Sequence, residues 1–408
     1  MDRDSPLTDR PALRRRLSLP LLTLYGLGIT IGAGIYVLIG TVAGHAGRHA
    51  PYAFLLAGLA MAFTVGSYAE LATRFPVSAG EAAYVRAAFG SRLASTLTGL
   101  LTLVVSVVAS ATVAIGAAGY IGQFVDLPHG LLVTLVVGGL AAVAAWGILE
   151  SVLLASLFTL VEAGGLIAVI AAGLAAQVPV GAALAPPPLA ADALAGIAYA
   201  SLIAFFAFIG FEDLANVVEE AKAPHRDIPR AMVLTLVIST ALYLAVAAIA
   251  VSAVPAGELA ASPAPLSLVF ERLAGVSPAT VSLIAIAATL NTILAQMTMA
   301  ARVVYGMSRQ HDLPRFVGRV HAATATPVVA TMLIAAATLV LALVVPFERL
   351  AESTSLATLL VFALVNLSLL WLRLTKTPPH TPHVRVPLCV PAAGLTVSLA
   401  MMAAAGLG

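Results

Sequence analysis

Two long apolar stretches of this sequence are interrupted by glycine. The first reads GLGITIGAGIY over residues 26–36, and the second reads AFFAFIGFED over residues 204–213. Glycine inside a helix costs about 1 kcal/mol relative to alanine, so both stretches favour local unwinding. Unwound backbone exposes N–H groups that can hold a carboxylate and carbonyls that can accept from an ammonium group. For the first stretch, close helix packing through Gly28 and Gly32 is the alternative interpretation.

Carboxylates inside apolar stretches are the second group of candidates. Glu162 lies in TLVEAGGLIAVI, and Glu212 follows the second interruption directly. A lone charge is costly in lipid, so Glu162 must be neutral, paired or bound to a cation. Glu162 can therefore couple transport to protons or a cation, or it can hold a fixed hydrogen bond to the first interruption. Glu212 can sense pH or close an electrostatic gate, or it can cap the half-helix that follows.

Further polar residues suggest a gate and a selectivity surface. Glu219 and Glu220 follow the second interruption, and Arg74 lies in a basic loop predicted on the same side. These three residues can form a cytoplasmic gate, or the carboxylates can be a solvated pair worth about 0–1 kcal/mol. The polar candidates for selectivity can instead form hydrogen bonds between helices. They are Ser106, Ser110, Asn291 and Thr292.

The composition requires lipid as the solvent for most of the chain. Of 408 residues, 61% are hydrophobic and 10% are charged, whereas soluble domains are about 25% charged. A spanning helix needs about 20 apolar residues. Breaks at Pro, Gly and charged residues then predict eleven spanning segments in an all-α polytopic protein. The segments are 19–43, 51–72, 90–120, 130–148, 151–176, 193–219, 230–254, 277–306, 327–346, 350–373 and 387–406.

The two interruptions fall in the first and the sixth segment. These are corresponding positions in a five-plus-five inverted repeat, and paired interruptions of this kind indicate the central site of a transporter. We therefore predict five regions. They are a cytoplasmic tail over 1–18, a first repeat over 19–176, an extracellular linker over 177–192, a second repeat over 193–373, and a loop with an additional eleventh helix over 374–408.

The distribution of basic residues predicts the orientation. With the N-terminus in the cytoplasm, only Arg48, Arg272 and Arg349 of the 21 Lys and Arg residues lie outside. This strong positive-inside bias predicts a multi-pass protein of the cytoplasmic membrane. We expect no metal or cofactor, since the chain has a single cysteine and its His380–His383 pair lies in a proline-rich loop.

Four stretches resemble the amino acid–polyamine–organocation superfamily, and the first is nearest the cationic amino acid transporter branch. They are GLGITIGAGIYVLIG (26–40), AELATRFPVSAGEAAYVRAAFG (69–90), residues 205–231 ending in EEAKAPHRDIPRA, and RVVYGMSRQHDLP (302–314). The resemblance implies a leucine-transporter-like core of ten helices in two inverted repeats that works by alternating access. Members of the family typically have twelve helices, and the cationic branch has fourteen, against the eleven predicted here.

The resemblance also implies a substrate site. The substrate carboxylate would bind at Thr30, Gly32, Ala33 and Gly34. The ammonium group would meet the backbone carbonyls of Phe206, Ala207 and Ile209. Phe208 and Phe211 would form an aromatic lid.

These observations predict a secondary transporter of amino acids that is proton-linked or an exchanger, with sodium open as the coupling ion. A polyamine or organic-amine carrier ranks second, because a substrate without a carboxylate leaves the first interruption without its anion. A sensor on the same fold is a further alternative. The apolar segments contain no histidine for an enzyme, and no GxxxxGK[ST] motif for an ATP-driven pump occurs. Nucleic acid is not an expected partner. The third segment contains no acid, which argues against a strictly cationic substrate.

Overall fold

The computed structural model describes residues 13–32, 34–122, 124–262, 264–275, 278–345, 347–376 and 383–406. Within these ranges the chain is helical, and its only β-type pairing is an isolated bridge. The α-helices are α1 (Leu19–Ile31), α2 (Gly34–Ala46), α3 (Ala50–Arg74), α4 (Gly80–Phe89), α5 (Arg92–Ile121), α6 (His129–Trp146), α7 (Ile148–Ala175), α8 (Ala191–Phe205), α9 (Pro224–Ala253), α10 (Ala256–Ala261), α11 (Pro265–Ala274), α12 (Pro278–Arg309), α13 (Val328–Val344), α14 (Phe347–Leu374) and α15 (Cys389–Gly406).

The helices confirm a polytopic membrane protein with eleven segments. Among the described residues, nine helical stretches are long and apolar enough to cross a membrane, and α13 and α15 are shorter apolar helices. The first predicted segment comprises α1 and α2, and the sixth begins with α8. The remaining segments correspond to α3, α5, α6, α7, α9, α12, α13, α14 and α15. Three short helices, α4, α10 and α11, lie in stretches that we had assigned to loops.

Local sequence determines where several helices begin. Proline occupies the first turn of α1, α3, α9 and α11, where its missing N–H would have no helical partner. Ser91 caps α5, because its hydroxyl accepts a 3.2 Å hydrogen bond from the Ala94 N–H. A single residue, Gly147, separates the end of α6 at Trp146 from the start of α7 at Ile148.

Both predicted interruptions are present as breaks in the helices. In the first segment, α1 ends at Gly32, which has φ of 26°, and α2 begins at Gly34. In the sixth, α8 ends at Phe205, and Gly210 adopts φ of 129°. Such positive φ values favour glycine, because a Cβ makes them strained. Ala33 lies outside the described residues.

The structure differs from our expectation after the second break. We expected a half-helix to resume there, but the chain forms 3₁₀ turns over Phe211–Ala215 and Val218–Glu220. The end of this stretch pairs with the residues that precede α1. The N–H groups of Arg16 and Leu17 donate to the Glu220 carbonyl, and the Lys222 N–H donates to the Leu17 carbonyl. These bonds connect the two interrupted segments below their breaks.

The helices around the breaks form the supporting scaffold. Helix α1 packs between α7 and α9, α3 packs against α8 and α9, and α5 packs against α12 and α14. The last helix, α15, packs against α3 and α14. Between α3 and α4, the chain at Ser78 and Ala79 approaches α12 so closely that a Cβ on Gly306 would collide with the Ser78 carbonyl.

This close approach predicts the effect of a single methyl group. Gly306→Ala should destabilise the protein by about 1–3 kcal/mol, because the backbone of the α3–α4 connection would have to move. Thermal unfolding in detergent measures this effect as a lower melting temperature. The matched control is Gly138→Ala in α6, where a Cβ would meet nothing within 4 Å. The control should be neutral or slightly stabilising, and equal melting temperatures for the two variants would contradict the prediction.

Candidate functional site

The two breaks lie side by side in the centre of the bundle. A Cβ built on Gly34 would lie 3.0 Å from the Ala207 Cα, and one built on Gly210 would lie 3.0 Å from the Ile29 carbonyl carbon. The structure thus brings together the two sets of residues that the sequence placed at one site. Both interruptions consist of backbone that leaves the helical hydrogen-bonding pattern, so their polar groups need partners from elsewhere.

Tyr243 of α9 supplies a hydrogen bond to each break. Its hydroxyl lies 2.7 Å from the Thr30 carbonyl oxygen and 2.8 Å from the Ala207 carbonyl oxygen. One hydroxyl proton is therefore shared between two carbonyls, one on each side of the site. The ring is fully buried and packs edge-to-face against Phe54 and Phe208.

The first break presents unsatisfied donors. The Gly32 N–H closes α1 by donating to the Gly28 carbonyl at 3.3 Å. The leading N–H groups of α2, which begins at Gly34, have no partner within their own helix. The Thr30 hydroxyl is buried and makes no hydrogen bond to a described residue. These groups can bind a carboxylate, helped by the positive end of the α2 dipole.

The second break presents carbonyls that are only partly engaged. The Phe206 carbonyl accepts from the Ile209 N–H at 3.3 Å, and the Ala207 carbonyl accepts from Tyr243. The Ile209 carbonyl accepts no hydrogen bond from the described residues. Carbonyl acceptors facing the N–H groups of the first break give the site opposite polarities at its two ends.

The aromatic residues of the second break are buried. The Phe208 ring lies 5.0 Å from the Tyr243 ring, between centroids. The Phe211 ring lies 5.5 Å from Tyr68 of α3 and 5.9 Å from Phe362 of α14. Both phenylalanines thus connect the second break to the surrounding scaffold, and their role as a lid stays a prediction.

Glu162 lies behind the first break in a polar cluster. One carboxylate oxygen accepts a 2.9 Å hydrogen bond from the Asn291 amide, which also donates to the Thr159 hydroxyl at 3.1 Å. The second oxygen of Glu162 and the side-chain oxygen of Asn291 are buried without a partner among the described residues. A Cβ on Gly28 would collide with both Thr159 and Asn291, so this cluster lies directly against α1.

Tyr36 of α2 contacts the same region. Its hydroxyl donates a 2.7 Å hydrogen bond to the backbone carbonyl of Glu162. The Thr159 hydroxyl lies 3.1 Å from the Leu24 carbonyl of α1. Both halves of the first interrupted segment therefore bond to α7 near Glu162, through the Glu162 backbone and the Thr159 side chain. The Glu162 carboxylate itself bonds to Asn291, and its coupling role stays a prediction.

The predicted selectivity residues lie in three places. Thr292 of α12 lies at the first break, where a Cβ on Gly32 would be 2.8 Å from its hydroxyl. Asn291 belongs to the Glu162 cluster instead. Ser106 and Ser110 are buried on α5; the Ser106 hydroxyl bonds to the Thr102 carbonyl and contacts the Met299 sulfur, whereas Ser110 has no described partner.

A buried ion pair joins the segment after the second break to α12. Arg302 of α12 binds both carboxylate oxygens of Glu220, at 3.1 and 3.3 Å, and both side chains are fully buried. Burial raises the pKa of the Glu220 carboxyl, and the Arg302 guanidinium partly offsets this rise. We expected Arg74 beside Glu220, and the structure gives Glu220 a different basic partner. Arg74 lies at the end of α3, with its guanidinium 5.7 Å from the Phe75 ring centroid.

The connection between α3 and α4 is bonded to the segment after the second break. Glu219 accepts from the Ser78 N–H at 2.8 Å, and Asn216 accepts from the Gly80 N–H at 3.0 Å. The Asn216 amide and the Tyr68 hydroxyl both donate to Glu81. Burial raises the pKa of the Glu81 carboxyl, although these donors act to lower it. These hydrogen bonds join α3, α4 and the connection between them to the segment after the second break.

Glu212 bonds back to the second break, within a 3₁₀ turn instead of the half-helix that we expected it to cap. Its carboxylate accepts a 2.8 Å hydrogen bond from the Gly210 N–H, at the start of the 3₁₀ turn. Its neighbour Asp213 is buried and accepts from the Gln296 amide of α12 at 3.1 Å. A role of Glu212 in pH sensing or gating stays a prediction.

Five residues of the site were not predicted from the sequence: Tyr243, Thr159, Arg302, Asn216 and Glu81. Thr159 had a usable signal, since it precedes Glu162 by three positions and so shares its helix face. Arg302 had one as well, because a basic residue within an apolar helix requires a partner. Tyr243 gave no signal beyond a hydroxyl in an apolar stretch. Within the described residues, no group of three or more His, Cys, Asp or Glu side chains is arranged to hold a metal ion.

Comparison with known proteins identifies the family. Residues 17–407 match the family model described as amino acid permease. The branched-chain amino acid permease BcaP of Bacillus subtilis is 29% identical over 402 residues, which cover 91% of this chain and 83% of that protein. A methylthioribose transporter of the same organism is 28% identical over 408 residues, covering 92% of this chain and 85% of that protein.

A plant relative extends beyond the chain. The mitochondrial cationic amino acid transporter 3 of Arabidopsis thaliana is 28% identical over 401 residues, which cover 91% of this chain but 64% of that protein. The named relatives are transporters, and the matched region contains both broken helices and the polar clusters around them. The chain belongs to the amino acid permease family and is a multi-pass membrane protein built as a secondary transporter of amino acids.

Proposed function

We propose that the chain imports a neutral, apolar amino acid across the cytoplasmic membrane, coupled to protons through Glu162. The observation that carries this proposal is the adjacency of the two breaks, which present N–H donors on one side and carbonyl acceptors on the other. A zwitterion matches both polarities at once. Its carboxylate would bind at Thr30, Gly32 and the start of α2, and its ammonium group would bind at the carbonyls that follow α8.

The predicted selectivity surface on α5 and α12 supports a neutral side chain. The buried face of α5 carries serines and small apolar residues, and Ser106 there contacts Met299 of α12. A cationic side chain would require a carboxylate at this surface, and none occurs on α5. The relatives are named as transporters of branched-chain amino acids, cationic amino acids and methylthioribose, so all three substrate classes belong in the panel of compounds to be tested.

Glu162 supports the choice of protons for coupling. It is fully buried, and its one described hydrogen bond comes from a neutral amide. An ionised carboxylate with no cationic partner is costly in such surroundings, so the resting state is more stable when Glu162 holds a proton. Because Asn291 and Thr159 press directly against Gly28, a change in the charge of Glu162 would act on the first break.

The proposal includes the two inverted repeats over 19–176 and 193–373 and alternation between them. In the proposed cycle, the Glu220–Arg302 pair and the bonds from Glu219 and Asn216 keep the cytoplasmic side closed, and they separate when the protein opens inward. The N-terminus and the basic loops would lie in the cytoplasm, in keeping with the distribution of Lys and Arg.

Glu162→Gln should abolish proton-driven accumulation without abolishing exchange. With one proton per substrate, a gradient of one pH unit drives about tenfold accumulation, because about 1.4 kcal/mol corresponds to a factor of ten. In proteoliposomes with an inward proton gradient, wild type should accumulate radiolabelled leucine to this extent. The Gln variant should reach a ratio of about one and still exchange leucine against internal leucine, because a neutral amide resembles the protonated acid.

The control for this experiment is Glu150→Gln, the same substitution at an exposed position of α7. It should accumulate leucine like wild type. Gradient-independent uptake that requires internal amino acid in every protein would identify an exchanger and contradict a coupling role for Glu162. If none of the amino acids moves while the protein is folded, the amino acid assignment itself fails, and uptake of methylthioribose or amines becomes the next test.

Tyr243→Phe should weaken substrate binding. The substitution leaves the carbonyls of Thr30 and Ala207 without their shared donor, which costs about 1–2 kcal/mol and corresponds to roughly a 5- to 30-fold rise in the apparent KM for uptake. The change is read from initial uptake rates across substrate concentrations. Tyr199→Phe is the control, since Tyr199 is 54% exposed on α8. An unchanged KM in Tyr243→Phe would contradict the assignment of the breaks as the binding site.

A further inference from the structure

A positively charged cavity lies at the edge of the bundle, away from the breaks. It has a volume of about 280 Å³ and lies between the end of α14 and the start of α15. Its lining comprises two guanidinium side chains and a short backbone segment: Arg373, Arg385, Val386, Pro387 and Leu388. By its sequence position it belongs to the cytoplasmic side in the proposed orientation.

The charge around this cavity is not balanced. Arg373 forms an ion pair with Glu70 of α3 at 3.1 Å, and Arg74 lies within electrostatic reach of the same carboxylate. Arg385 is exposed and forms no ion pair with a described residue. No Asp or Glu occurs in the whole sequence after residue 352. Two guanidinium groups, those of Arg373 and Arg385, therefore line the cavity, and among the described residues Glu70 is the only carboxylate in an ion pair with either of them. An anion from outside the chain would balance the remaining positive charge.

The wall of the cavity is held in place by the scaffold. The Val386 N–H donates to Glu70 at 2.9 Å, and the Val384 N–H donates to the Thr73 hydroxyl at 3.1 Å. The Val386 carbonyl accepts a hydrogen bond from Arg373. This backbone segment is thus fastened to both α3 and α14, so the cavity is a fixed feature of the fold. The start of α15 adds N–H groups without helical partners.

Exposed apolar residues in the cavity wall and near the end of α14 indicate a lipid environment. Trp371 and Leu374 of α14 are 47% and 60% exposed, and Leu388 in the cavity wall is 46% exposed. Tryptophan is enriched where a bilayer meets water, and basic pockets between membrane helices on the cytoplasmic side bind anionic lipid headgroups. A soluble anion would use the guanidinium groups but would gain nothing from these apolar neighbours.

We propose that this cavity binds the phosphate of an anionic phospholipid, with Arg385 and Arg373 on the phosphate and the acyl chains along Trp371, Leu374 and Leu388. Arg373 also holds Glu70, so Arg385 is the group whose charge is available for the lipid. Free phosphate shares the same chemistry, and it is the alternative source of the anion. The site is independent of the substrate site at the breaks.

Native mass spectrometry of the purified full-length chain tests this proposal. The chain is delipidated in a neutral detergent and titrated with dioleoylphosphatidylglycerol or with dioleoylphosphatidylcholine. We expect the anionic lipid to bind in a saturable manner and more tightly than the neutral one. Arg385→Gln should weaken binding of the anionic lipid roughly fivefold, as expected for one basic residue near a membrane surface.

The matched control is Arg315→Gln, which removes the same charge from an exposed cytoplasmic position on the chain after α12. It should retain wild-type binding. Equal losses in the two variants would overturn the proposal, since they would show attraction to net charge alone. Equal binding of the two lipids by wild type would also overturn the proposal. This comparison uses only the wild-type protein, so it does not depend on whether a variant folds. Complete displacement by millimolar inorganic phosphate would assign the cavity to a soluble anion and overturn the lipid assignment.

Discussion

The shared hydrogen bond from Tyr243 to the carbonyls of Thr30 and Ala207 is the contact on which the centre of this protein depends. Backbone that leaves a helix inside a membrane must find its hydrogen-bond partners within the protein. Two breaks placed side by side double that demand, and a single buried hydroxyl meets part of it on both sides. The Thr30 hydroxyl, the Ile209 carbonyl and the leading N–H groups of α2 receive no bond from Tyr243. These are groups to which the proposed zwitterion would bind.

The polar residues around the breaks lie at two separate levels. Thr159 and Asn291 contact α1 at Gly28, just before its break, and Asn291 bonds to Glu162 there. The Glu220–Arg302 pair lies beside the pairing of Leu17 with Ala221, ahead of α1, where the two interrupted segments are joined. Removal of one partner from a buried ion pair is strongly destabilising, so the two side chains of this pair depend on each other.

Much of the architecture could be predicted from sequence because its determinants are local. The lengths of the apolar stretches predict the eleven segments, and the glycines near Thr30 and Phe208 predict both breaks. The 3₁₀ turns after Gly210 could not be predicted, because the pattern shows where a helix fails but not which backbone follows. The pairing of Glu220 with Arg302 joins residues 82 positions apart, and no periodicity in either segment indicates it. Tyr243 acts only through its position between two distant backbone carbonyls.

The hydrogen bonds of Asn291 determine what the proposed binding of a proton to Glu162 would change. Both amide hydrogens of Asn291 are used, one on Thr159 and one on Glu162. One oxygen of Asn291 and one of Glu162 therefore stay buried without a donor. A proton on Glu162 supplies a donor and removes the buried charge, whereas an ionised Glu162 leaves two acceptors and a charge uncompensated. Because this cluster touches Gly28 directly, the proposed coupling requires that the protonation of Glu162 and the geometry of the first break each favour one state of the other.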